Sequence, residues 1–98
     1  MPKPKRTTAR VKIGEARWTI RRQPVPKDRW GDCNSEKRLI RVCDKLGGHA
    51  LLNVMLHEMI HARWWCLDEG EVTEFAEEVA GVLEAFGFRD THEEDDDG

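Results

Sequence analysis

The segment from about Gly48 to Cys66 is apolar nearly all the way round a helix, and no other feature constrains the fold as much. At the helical step of about 100° per residue, Leu51, Leu52, Met55, Leu56, Met59 and Ile60 cover its back, while Ala50, Val54, Trp64 and Trp65 flank its front. A helix of this composition belongs in the centre of a domain. Its few polar residues therefore call for an explanation, and His57, Glu58 and His61 are most of them.

The chain has 98 residues, enough for a single domain with a modest core. Residues 1–9, rich in Pro and Lys, are expected to form a disordered basic arm. From Arg10 to Arg22 a loose alternation of Val11, Ile13, Trp18 and Ile20 with charged residues suggests a strand or two, with Gly14 at a bulge or turn. Pro24 and Pro26 then break the pairing and make a connector. Trp30 to Cys43 has the pattern of a hairpin, with turn chemistry from Asn34 to Lys37 and alternation at Ile40 and Val42. Asp44 is placed to cap the helix that follows. After Asp68, Glu69 and Gly70, a second helix is expected from about Glu71 to Phe88, with Val72, Phe75, Ala76, Val79, Val82, Leu83 and Phe86 in one broad stripe. Residues 90–98 read as a disordered acidic tail. The expected fold is α+β: a small antiparallel or mixed sheet over about 10–43, then a buried helix over about 48–66 and a second over about 71–88, all within a domain spanning 10–89.

His57-Glu58-Met59-Ile60-His61 is an HExxH sequence lying within the predicted helix. Residues four apart lie one turn apart on the same helix face, so two imidazoles at this spacing can converge on one ion. The Zn–N distance of about 2.0–2.1 Å suits them. Glu58 lies about 100° round from His57. It is badly placed to ligate the same ion but near enough to hydrogen-bond a metal-bound water. Zinc lowers the pKa of that water towards ~7, and a neighbouring carboxylate can take the proton as the water attacks a carbonyl. The expectation is a Zn²⁺-dependent peptidase with Glu58 as catalytic base and with His57 and His61 as metal ligands.

A catalytic zinc site takes a third protein ligand and keeps one position open. The acidic second helix is the obvious source. Glu71 sits on the edge of its apolar stripe and is the expected third ligand, with Asp68, Glu74 and Glu78 as alternatives. Glu77 falls almost opposite the stripe.

Over residues 30–88 the chain resembles the gluzincin-like zincins, and more closely the small minigluzincin type common in phage and bacterial genomes. The Trp30-Gly31 hairpin with Ile40 and Val42, the HExxH helix and the Glu71-Val72 start of the next helix carry the resemblance. It implies a small sheet whose edge strand aligns an extended peptide beside the zinc. It also implies a third ligand on the following helix, which falls at Glu71. The chain contains no Tyr, so a tyrosine assisting the oxyanion, as in larger gluzincins, has no counterpart here. His49 lies near the helix start and is expected to be a surface or capping residue.

No run approaches the ~18 apolar residues of a membrane span, and the basic start is not followed by an apolar segment that would make it a secretory signal. A cytoplasmic protein is expected, with Cys33, Cys43 and Cys66 as free thiols, most of them buried. The net charge of −3 conceals a polarity between a basic amino-terminal third and an acidic carboxy-terminal third. The expected partner is a peptide or protein substrate. The alternative is a catalytically weak or inactive zinc-stabilised module that binds protein or nucleic acid through its basic half.

Overall fold

In the computed structural model, residues 7–88 are described. Four strands precede two helices: β1 Thr8–Ile13, β2 Ala16–Gln23, β3 Gly31–Asn34, β4 Leu39–Cys43, α1 Gly48–Arg63 and α2 Glu69–Ala85. The α+β expectation holds, and the sheet is mixed. Its order is β1-β2-β4-β3, with β1 and β3 at the edges. β1 and β2 form an antiparallel hairpin that closes at the Ile13–Ala16 pair, where Gly14 has φ +64°, a left-handed value that suits a glycine in a tight turn. The Pro24–Arg29 connector then carries the chain past the place β4 will occupy. β3 therefore forms the outer edge, and β4 returns between β3 and β2, antiparallel to the first and parallel to the second.

Alternation sorts the two sheet faces. Ile13, Trp18, Ile20, Ile40 and Val42 are buried against Leu51, with Val54, Met55 and Met59 of α1 packed on them. Ile40 and Val42 are fully enclosed, each stabilising the fold by about 1.5–3 kcal/mol through burial. Arg22 reaches from β2 to the β4–α1 loop and donates to the carbonyls of Leu46 (2.6 Å) and Asp44 (3.2 Å), which anchors the start of α1.

α1 explains its own composition. One side lies on the sheet, and the other meets α2, where Ile60, Val72 and Ala76 are buried with Leu56 and Leu67 beside them. α2 runs back along α1, so His49 near the start of α1 meets Glu84 near the end of α2, Nδ1 to Oε1 at 2.7 Å. α2 packs on α1 and not on the sheet.

Several details differ from expectation. Thr8 and Ala9 belong to β1 and not to the arm; the expected disorder of residues 1–6 and of the acidic tail falls outside the described residues. Asp44 does not cap α1, whose N-cap is Gly47. α1 stops at Arg63, because Trp64 leaves helical dihedrals (φ −131°, ψ 78°) and its amide closes onto the Ile60 carbonyl. Trp64 and Trp65 therefore lie in the inter-helix loop, with the Arg63 guanidinium stacked 5.1 Å from the Trp64 ring. The cysteines are free as expected, but Cys66 is exposed, while Cys43 is buried and Cys33 half-buried. Cys33 is the register partner of Ile40. Among the described residues no helix is long and apolar enough to cross a membrane.

Candidate metal centre

His57 and His61 point into the angle between the end of α1 and the start of α2. Their Nε2 atoms are 3.2 Å apart, with ring centroids at 4.8 Å and planes inclined by 66°. The one-turn spacing thus brings both imidazoles to a common point. Both side chains are about one-fifth exposed, so the point is sheltered yet reachable.

The third group there is Glu69. Its carboxylate oxygens lie 2.9 Å from Nε2 of His57 and 2.7 Å from Nε2 of His61. These three residues form a set of ligand atoms within 4.8 Å of one another. A tetrahedral ion with bonds of about 2.0–2.1 Å has ligand atoms about 3.3–3.4 Å apart. The His57–His61 separation of 3.2 Å comes close to that, and the carboxylate distances of 2.7 and 2.9 Å are shorter, as hydrogen-bonded groups are. Two neutral imidazoles and a carboxylate are also the donor chemistry of a catalytic zinc site. The three residues are a donor set that could hold such an ion.

Glu71 is not brought to the pair. It is exposed on α2, and its amide donates to Oδ2 of Asp68 at 3.3 Å. Asp68 is the N-cap of α2, which occupies it in that role. Glu74 and Glu78 are exposed and outside the set. Two signals in the sequence point to Glu69. Asp68-Glu69-Gly70-Glu71 has the D-x-x-E spacing of a capping box, which starts the helix at Glu69. Ala76 and Ala80 continue a line with Val72, and all three are fully buried. Small residues let helices approach closely, so α2 turns this line towards α1, and Glu69 comes round with it. The bulkier Phe75, Val82 and Phe86 made the stripe look centred elsewhere; they are 46%, 58% and 79% exposed.

Glu58 lies between α1 and the sheet edge and is only 9% exposed. Among the described residues nothing hydrogen-bonds its carboxyl group. Burial raises its pKa to about 7; the nearby His61 pulls the other way, while Asp32 and Glu69 add to the rise. Such a carboxyl can both take and return a proton near neutral pH.

A cleft open to solvent joins these groups to β3. Gly31, Asp32 and Cys33 form one wall, His57, Glu58, His61 and Glu69 the floor, and Trp65 and Leu67 the far side. Gly31 is required where it stands. A Cβ there would fall 2.8 Å from the Arg41 carbonyl oxygen, 3.0 Å from Val54 Cγ1 and 3.5 Å from Glu58 Cγ. The bare backbone lets β3 pass directly over Glu58. Asp32 on the same strand is held by the Arg41 guanidinium, with Nε to Oδ1 at 2.8 Å, and this contact keeps its pKa below the ordinary carboxylate value.

The backbone of β3 has a free side. Because Cys43 donates its amide to the Trp30 carbonyl (2.8 Å), Gly31–Val42 is a non-hydrogen-bonded pair of the antiparallel ladder. The same holds two residues on, at Cys33. The amide and carbonyl groups of Gly31 and Cys33 therefore turn away from β4, along the cleft.

Comparison with protein-family models, with curated proteins and with solved structures finds no match to this chain.

Proposed function

We propose that the chain is a zinc-dependent peptidase of the zincin kind, with His57, His61 and Glu69 holding the ion and Glu58 as catalytic base. The observation that carries this reading is the convergence of both HExxH imidazoles and a carboxylate from the next helix, beside a buried acid and an open strand edge. Bound zinc would supply Lewis acidity, acidifying water and polarising a peptide carbonyl. The chain's own groups do the rest. The outward amides and carbonyls of Gly31 and Cys33 offer the ladder bonds of an added strand, which would lay an extended peptide along the cleft. Glu58 accepts the proton of the attacking water and returns it to the departing amide nitrogen. The raised pKa of Glu58 suits both steps. Free Cys33, Cys43 and Cys66 fit a reducing, cytoplasmic setting.

The substitution Glu58→Gln tests the reading. It keeps the shape of the side chain and removes its capacity to exchange a proton. Hydrolysis of a fluorogenic peptide library by the zinc-loaded protein is expected to fall by about 100-fold or more with zinc content unchanged. Wild-type protein that holds zinc and cleaves nothing, or a variant as active as wild type, would count against it.

A further inference from the structure

The solvent face of the sheet takes no part in the reaction above. Strand alternation that turns Val11, Trp18, Ile20 and Ile40 towards α1 sends Arg10 and Lys12 of β1, Arg17 and Arg21 of β2 and Arg41 of β4 to the other side. Register packs them together. Lys12 lies opposite Arg17, and Arg21 lies between Thr8 and Arg41. Asp32, bonded to Arg41, is the one acid the strands place on this face. Arg10, Lys12, Arg17 and Arg21 are exposed and have no ion-pair partner among the described residues.

Like charges directly opposite on neighbouring strands destabilise a sheet. A surface kept soluble by charge does not require them adjacent. Sheet geometry spaces these groups by about 4.8 Å across strands and about 6.6–6.8 Å along them. The exposed acids Glu71, Glu74, Glu77 and Glu78 are on α2, which packs on α1 and not on the sheet. The basic face is thus set apart from them.

We propose that this face binds the sugar-phosphate backbone of nucleic acid, independently of the metal site and without sequence preference. The side chains select this occupant among anionic surfaces. Protein interfaces carry an apolar or aromatic centre, and membrane-binding faces carry side chains that insert. Among the described residues the only sizeable apolar group the strands place here is Leu39, half-buried beside Thr19. Phosphodiesters need neither. They are recognised by guanidinium groups, which bond phosphate in a bidentate fork, and by hydroxyls and amides such as those of Thr8, Thr19 and Asn34. Among the described residues no strand places an aromatic side chain on this face to stack bases, so the contact is to the backbone.

The test is fluorescence anisotropy with labelled duplex and single-stranded oligonucleotides of mixed sequence, titrated with the full chain over a salt series. Wild type is expected to bind both, with affinity falling steeply as salt rises. The variant Arg10→Gln/Arg17→Gln/Arg21→Gln, its fold checked by circular dichroism, is expected to bind about tenfold or more weakly, with a salt slope shallower by about two to three. The single Arg17→Glu repeats the test if the triple variant folds poorly. The proposal is overturned by no binding at low salt, or by variants that bind as wild type does. Competition by polyglutamate as strong as by oligonucleotide would assign the face to an acidic protein and overturn it too. Binding that appears only after removal of residues 90–98 would assign it to the chain's own tail, with the same consequence.

Discussion

The carboxylate of Glu69 lies 2.7 Å from Nε2 of His61, eight residues earlier and on a different helix. This contact depends on how closely α2 can approach α1. Val72, Ala76 and Ala80 are fully buried along the contact line, and two of them end at Cβ. Ala76→Leu would overfill that line and push α2 away or rotate it. We expect a loss of about 1–3 kcal/mol in stability. A fall in zinc affinity should accompany it, because Glu69 moves with the helix. Thermal unfolding and zinc titration measure the two effects; full zinc affinity in a destabilised variant would separate the site from the helix packing.

A second relationship ties the sheet to the site. Gly31 leaves no room for a methyl group between the Arg41 carbonyl and Val54. Gly31→Ala should shift β3 outward at a cost of about 1–3 kcal/mol. If β3 aligns the peptide, hydrolysis should fall by more than stability explains, with zinc content unchanged. An active variant of normal KM would argue that β3 does not position the substrate.

The thiols offer a chemical probe of the cleft. Burial raises the pKa of Cys33 to about 11, with Glu58 and Asp32 adding to the rise. At pH 8 very little of it is thiolate, the form that reacts. Cys66 is exposed in the inter-helix loop. Iodoacetamide followed by peptide mass spectrometry should label Cys66 first, and labelling of Cys33 should rise steadily as pH approaches 11. Equal labelling of both at pH 8 would contradict the sheltered position of Cys33 beside Glu58.

Much of this was legible in the sequence. The helix apolar nearly all round became a helix covered by the sheet on one side and by α2 on the other. HExxH within it placed His57, Glu58 and His61 at one cleft. The hairpin at residues 30–43 was readable from alternation and turn chemistry. What failed to show was the rotation of α2. Hydrophobicity weights Phe75, Val82 and Phe86 heavily, whereas the approach of two helices is decided by the small Ala76 and Ala80. Hydrophobicity alone therefore favours Glu71, whereas the cap at Asp68 and the alanine line bring the exposed Glu69 beside the two histidines. Strand order was also hidden, because β4 pairs with β2 across a connector whose path no local pattern encodes. The end of α1 at Arg63 is hidden for a related reason: the two Trp continue the apolar pattern but lie in the loop.

His57, His61 and Glu69 make up the proposed metal site, and zinc binding by single variants is the measurement that decides it. After exhaustive dialysis, wild-type protein is predicted to retain about one equivalent of zinc. His61→Ala and Glu69→Ala should each lower the affinity by about 100-fold or more, a loss at least as large as removing an outer-shell partner produces. Glu71→Ala should bind as wild type does. Zinc retained by Glu69→Ala and lost by Glu71→Ala, or no zinc bound by the wild type, would contradict this ligand set.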